Sequence, residues 1–317
     1  MLASVPSGAE IDAAAERLAP YIRHTPVIEV DGADLEIPGV RVFLKLELLQ
    51  HTGSFKTRGA FNRIISGDVP EAGVLAASGG NHAQGVAYAA RELGYRAEIF
   101  VPASAPAIKV GALHELGARV IQIGEVYDEA RQAAEQRAEE TGALVVHAFD
   151  QPEILAGTGT IGRELQQQVP DLDTVVVAVG GGGLIGGTAA WLRDGARIVA
   201  VESELCATLS RAVAAGEPVN IEVGGLAKDS LGASRIGDLG FASSSRWVDE
   251  FVLVPDASIQ RAQRLLWNRL RLIAEPGGAA ALAGLISGGV GLRDDERVAV
   301  LVCGGNTDPA LVAELSE

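Results

Sequence analysis

Along most of the chain, short runs of β-branched and apolar residues alternate with longer Ala-rich stretches whose apolar positions recur at helical spacing. That alternation predicts βαβ units, with parallel strands joined by helices that pack on the sheet. The regular centre reads as strand 73–78, helix 81–93, strand 97–102, helix 107–116, strand 119–124, helix 126–140 and strand 144–147. A second run supplies strands at 174–179, 197–202, 250–254 and 297–302. These are nearly continuous in apolar residues, so helices are expected on both faces of their sheet. Two central helices end in Leu-Gly, at Gly94 and Gly117, where a left-handed cap favours a residue without Cβ. Before the first block, RVFLKLE at 41–47 has the charge and length of a sheet edge. The expected fold is therefore α/β, with two open parallel-sheet lobes and the small one inserted in the large one. Residues 71–148 form the small, substrate-closing lobe, and 1–70 with 149–317 the large, cofactor-binding one. No linker rich in Pro, Gly and Ser separates them, so the boundary reads as a hinge between packed lobes.

Composition narrows the class. With 317 residues, 48% of them hydrophobic, the chain buries a core without staples. Its two cysteines, Cys206 and Cys303, fit neither a metal-ligand spacing nor a disulfide framework, which points to a reducing cytoplasm. A formal charge of -15 with no basic stripe disfavours nucleic acid and anionic membrane surfaces. No apolar run approaches the roughly 20 residues that span a bilayer, and the N-terminus lacks the pattern of a signal peptide. The 39 glycines form no repeat; they gather at the ends of strands.

Those ends are where open parallel sheets bind ligands. Four carry unusual residues: Ser78-Gly79-Gly80-Asn81-His82, Gly180-Gly181-Gly182-Gly183 with Leu184, Glu202-Ser203, and Cys303-Gly304-Gly305-Asn306. A single glycine after a strand is an ordinary tight turn. Four in a row expose successive amides at a helix N-terminus and suit a phosphate. No Lys-Ser/Thr follows, and no G-x-G-x-x-G with a downstream acid is present, so ATP and NAD are disfavoured against a smaller phosphorylated ligand. A lysine, Lys56, follows Phe55 just past a Thr-Gly-Ser turn expected to cap a helix. Taken alone it reads as an exposed helix lysine. Beside Arg58 and partly desolvated, it would have a depressed pKa and could form a Schiff base.

Five motifs in order, Gly53 to Ala60, Ser78 to Gly85, Gly180 to Leu184, Glu275 to Ala279 and Cys303 to Asn306, resemble the serine/threonine dehydratase group of fold-type-II pyridoxal-phosphate enzymes, over nearly the whole chain. The resemblance implies pyridoxal 5'-phosphate as cofactor and Lys56 as its Schiff-base partner and later the base on the substrate α-proton. It implies Phe55 on one face of the ring, Asn81 on the phenolic oxygen, Gly180, Gly181, Gly182, Gly183 and Leu184 around the phosphate, and Glu275 and Cys303 as further cofactor contacts. Cys303 stands where the family places a Ser or Cys facing the pyridine nitrogen; its other reading is a small buried hydrophobe. Ser78, Gly79, Asn81 and His82 match the loop that captures the substrate carboxylate, His82 with a binding role at most.

Two positions depart from relatives. Serine-racemising members carry a Ser where this chain has Gly79, which has no side-chain proton to exchange, so racemisation is not expected as the main activity. In relatives with a divalent cation, a glutamate is joined by an acid six residues on. Glu202 matches the first, but Thr208 stands at the second, leaving a divalent ion, a monovalent ion or none. With the sequence ending soon after Asn306, no appended regulatory domain is expected. The expected activity is elimination of a β-hydroxyl from serine or threonine to give a 2-oxo acid and ammonia. A bulkier or acidic 3-hydroxy amino acid is an alternative, because 223–230 departs from the family's Asp-Gly pair, and a catalytically silent cofactor-binding relative is another. The Ser-Gly-Gly-Asn-His loop argues against β-replacement with sulfur nucleophiles. A homo-oligomer, dimer or tetramer, is implied by the resemblance.

Overall fold

A computed structural model describes residues 4–314. Its strands are β1 (Val27–Asp31), β2 (Arg41–Lys45), β3 (Val74–Ala77), β4 (Ala97–Val101), β5 (Arg119–Gln122), β6 (Leu144–Val145), β7 (Thr174–Ala178), β8 (Arg197–Ser203), β9 (Glu250–Val254) and β10 (Arg297–Leu301). They form a six-stranded sheet of order β1-β2-β10-β7-β8-β9 and a four-stranded sheet of order β5-β4-β3-β6. Only the β1–β2 pair is antiparallel. The second sheet uses one continuous stretch of chain between β2 and β7, the nesting expected from the sequence.

Val175, Val176 and Val177 are all fully buried, as are Ile198 and Val199. Successive strand residues point to opposite faces, so burial without alternation means both faces are covered. The helix Pro276–Ile286, buried at ten of its eleven residues, lies against β7 to β10. The smaller sheet has its own cores, around Val74, Ala76, Ile99 and Val101 and around Leu75 and Phe100. Gly94 and Gly117 sit at φ of 78° and 81°, the left-handed conformation their place after a helix predicts.

One strand expectation fails. Segment 41–47 is not a sheet edge: β2 lies between β10 and β1, and β1 forms the edge. The charge that suggested an edge is instead buried in ion pairs, Lys45 to Glu164 and Glu47 to Arg58.

Candidate active site

Each sheet reverses its strand order once. From β7 the chain builds outward through β8 and β9, then returns as β10 on the other side of β7. From β3 it builds through β4 and β5, then returns as β6 on β3's other side. Loops leaving neighbouring strands at such a point part in opposite directions and open a crevice at the carboxyl ends. The two crevices face each other. Lys56 Nζ donates to the Ala148 carbonyl just beyond β6 at 2.7 Å. Asn81 Nδ2, beyond β3, donates to Glu275 Oε1 at 2.5 Å, and Cys303 follows β10.

Lys56 opens the helix Lys56–Ser66, whose N-cap is Phe55 with no side-chain bond. The Thr-Gly-Ser turn therefore does not cap this helix. Thr52 sits at φ 59° and pairs its hydroxyl with Thr57 Oγ1 at 2.8 Å, while Ser54 Oγ is buried without a partner among the described residues. The Phe55 ring centre lies 5.2 Å from Nζ. Burial lowers the amine from 10.5 to about 8, against smaller opposing pulls from Cys303 and Glu275. Arg58 takes no part in that shift, contrary to the expectation from sequence. Its guanidinium points the other way, into bonds with Glu47 and Glu164.

The glycine loop meets its helix, Gly183–Leu192, with Gly182 at φ 92° and no capping side chain. A Cβ on Gly181 would come 2.2 Å from Phe149 Cδ1, so close packing as well as amide exposure demands glycine here. The amides of Gly181, Gly182, Gly183 and Leu184 have no partner among the described residues. Free amides at a helix N-terminus hold an anion through hydrogen bonds and the helix dipole. The loop after β3 repeats the device. The helix Asn81–Glu92 has no side-chain cap, and the amides of Gly79, Asn81 and His82 are unpartnered among the described residues. Ser78 Oγ accepts from the Gly80 amide at 3.2 Å. Open space surrounds Gly79, where an added Cβ meets nothing nearer than Val101 Cγ1 at 3.9 Å.

His82 Nε2 lies 2.8 Å from the Val146 carbonyl, which only accepts, so that nitrogen carries the proton. Burial, then the Lys56 charge, lower its pKa to about 3, making it a neutral packing group. Glu275 is raised to about 7 by burial, which outweighs the bond from Asn81. Burial and then the Glu275 charge push the Cys303 thiol above its ordinary range, and it donates to the Gly277 carbonyl at 3.4 Å. Cys206 is buried too, its thiol directed to the Gly224 carbonyl.

Glu202 lies outside this constellation. Its two oxygens accept from the Leu209 amide and from the amide and hydroxyl of Ser210, at 2.6–2.8 Å, with Thr208 Oγ1 3.2 Å from one of them. Thr208 Oγ1 donates to the Gly180 carbonyl at 2.7 Å, tying this cluster to the glycine loop. Among the described residues no group of three or more His, Cys, Asp or Glu side chains could hold a metal ion.

Sequence reasoning gave no individual role to four residues. Phe149 packs under the glycine loop and carries no local signal. Lys109 and Asp229 form an ion pair of 2.9 Å that joins the helix after β4 to segment 228–231, the segment that packs on Gly180. Asn306 belonged to a noted motif but had no role assigned, and it proves to bond Asn81.

A half-buried amine of lowered pKa, two sets of free amides and a neutral thiol fit a phosphorylated aldehyde cofactor such as pyridoxal phosphate. The comparisons agree. A family model described as "Pyridoxal-phosphate dependent enzyme" matches residues 18–304. The chain belongs to this pyridoxal-phosphate-dependent family. An L-threonine ammonia-lyase of Thermotoga maritima is 36% identical, over 94% of this chain and 75% of that protein. A catabolic L-threonine dehydratase of Staphylococcus aureus is 37% identical, over 99% and 93% respectively. The solved structure of maize serine racemase superposes with a TM-score of 0.90 at 32% identity, over 99% of this chain and 97% of that one. The fold is thus that of the fold-type-II members of the family. Among the described residues no helix is long and apolar enough to cross a membrane.

Proposed function

We propose that this pyridoxal-phosphate enzyme is an ammonia-lyase that eliminates the β-hydroxyl of L-threonine or L-serine, giving a 2-oxo acid and ammonia. The observation that carries the reading is the half-buried Lys56 amine, set where the two crevices meet and lowered to about 8. When bound, pyridoxal phosphate supplies an aldehyde for attachment and an electron sink that acidifies the substrate's α-carbon. Lys56 holds the cofactor and, once displaced by substrate, accepts the α-proton on Nζ; burial keeps a usable neutral fraction near neutral pH.

The amides of Gly181 to Leu184 hold the phosphate, Asn81 Nδ2 the phenolic oxygen, and Phe55 packs the ring. Glu275 anchors the Asn81 amide. Cys303, held as a neutral thiol by burial, supplies no charge at the ring nitrogen, which favours expulsion of the hydroxyl over simple return of the proton. Gly79, Asn81 and His82 bind the substrate carboxylate through their backbone amides and Ser78 through its hydroxyl, its amide being taken by the Phe100 carbonyl and the His82 ring by Val146. Residues 71–148, which contain all four strands of the second sheet, move as the small lobe and close on the substrate, while 1–70 and 149–317 hold the cofactor. The chain works in the cytoplasm as a homo-oligomer.

Likeness to a serine racemase favours a second reading, racemisation. Gly79 weighs against it, because it puts no side-chain acid or base beside the substrate loop. A panel of L-threonine, L-serine and bulkier or acidic 3-hydroxy amino acids, read by 2-oxo acid release and by chiral analysis of residual substrate, tests both readings. Fast 2-oxo acid formation with enantiopure residual substrate is expected. Racemised serine appearing at a comparable rate would overturn the elimination reading.

A further inference from the structure

Asn306 lies exposed on the rim of the crevice, three residues past Cys303. Its amide nitrogen donates to the Thr52 carbonyl at 2.7 Å and to Asn81 Oδ1 at 2.8 Å, and Gln84 Oε1 lies at 3.5 Å. Asn81 Nδ2 in turn donates to Glu275 Oε1 at 2.5 Å. The two ends of a side-chain amide have nearly the same shape, so partners must decide which way each one faces. Here a main-chain carbonyl decides it. Thr52 can only accept, so the Asn306 nitrogen must face it, and the second hydrogen on that nitrogen goes to Asn81 Oδ1. The Asn81 oxygen is then occupied, and its nitrogen has one hydrogen on Glu275 and one to spare. The contact is close: a Cβ on Gly53 would come 2.4 Å from Asn306 Oδ1.

We propose that Asn306 is a positioning residue that locks the Asn81 amide with its spare donor, never its oxygen, presented to the cofactor's phenolic oxygen. This rests on the reading of the crevice as the pyridoxal-phosphate site. A fixed donor stabilises the ionised form of that oxygen and lowers the proton affinity of the bound chromophore. The rail also joins the lobes, since Asn81 follows β3 of the smaller sheet while Asn306 follows β10 of the larger.

The test is a pH titration of the visible absorption of the purified, cofactor-loaded protein. Asn306→Asp keeps the shape but cannot donate, so Asn81 must turn its nitrogen toward the new carboxylate. The chromophore's apparent pKa should rise by about one unit, a tenfold gain in proton affinity, with the cofactor still trapped by borohydride. Asn306→Ser removes the amide without adding a charge; it should shift the titration the same way, and it carries the test if the aspartate variant does not fold. Asn81→Ala should shift it at least as far, and adding Asn306→Ser to it should change nothing more, as expected for residues acting in series. Wild-type titration in both Asn306 variants beside a shifted Asn81→Ala would overturn the role of Asn306 and leave the lyase reading standing. Wild-type titration in Asn81→Ala as well would remove Asn81 from the cofactor and take the proposal with it.

Discussion

Two clusters of charge-bearing side chains are buried a few residues apart, and they behave in opposite ways. Behind the helix Lys56–Ser66, Arg58 donates to both oxygens of Glu47 and both of Glu164 at 2.7–2.9 Å. Lys45 donates to Glu164, Gln168 and the Thr25 carbonyl at 2.7–2.9 Å. Two cations face two anions at bonding distance. Burial would raise the Glu164 carboxyl, but bonds from Arg58 and the charges of Arg58 and Lys45 hold it below the usual range. In front of the same helix, the side chains of Lys56, Glu275 and Cys303 hydrogen-bond, among the described residues, only to a carbonyl, an amide and a carbonyl. With no countercharge bonded to them, all three are driven toward their neutral forms. Bonded countercharges hold the Arg58 guanidinium and the Glu164 carboxyl in their charged forms, whereas burial without one drives Lys56 toward neutrality, two residues from Arg58.

Exchanging the roles of these clusters gives measurable consequences. Lys56→Ala should lower 2-oxo acid formation on the order of a thousandfold or more and abolish the borohydride-trapped cofactor. It should leave the melting temperature of the cofactor-free protein at or above wild type, because a poorly solvated ammonium is removed. An unchanged trapped band would take Lys56 out of the site. Arg58→Ala should do the reverse. It strands Glu47 and Glu164 and costs about 3–5 kcal/mol of stability in denaturant unfolding, while turnover well below the melting transition stays near wild type.

Glu275 gives a pH signature. Its folded-state pKa of about 7 lies above the ordinary 4.5, so in that window the folded protein holds a proton the unfolded chain has lost. Stability therefore falls as pH rises across it. Glu275→Gln should match wild type in melting temperature near about pH 5 and exceed it near about pH 8; equal melting at both would refute the shift. The smallest effect expected is none: a chelator should leave turnover unchanged, because hydrogen bonds from Leu209 and Ser210 already occupy Glu202. Strong inhibition would place a divalent ion in the mechanism.

Much of this was readable along the chain because it is local. Strand and helix periods, the left-handed glycines after helices and the four-glycine turn each depend on a few neighbouring residues. The same holds for the order of the five motifs. The errors share a cause as well. Segment 41–47 looked like a sheet edge because its charges had no visible partners, and those partners lie on residues 58 and 164. Arg58 was credited with tuning Lys56 because adjacency in sequence was read as adjacency of charge. On a helix, residues two apart point in different directions.

The order of residues along the chain was enough to specify an α/β protein with two glycine-rich turns and a thiol at the ends of its strands and a lysine at the start of a helix. It could not specify that both sheets reverse at the strands bearing those groups, since strand order is set by long-range pairing. Nor could it orient the Asn81 amide, whose direction depends on a carbonyl at Thr52 and a carboxyl at Glu275. Local propensity fixes which groups are offered. Hydrogen-bond partners distant in sequence fix whether each one stays charged and which way it faces.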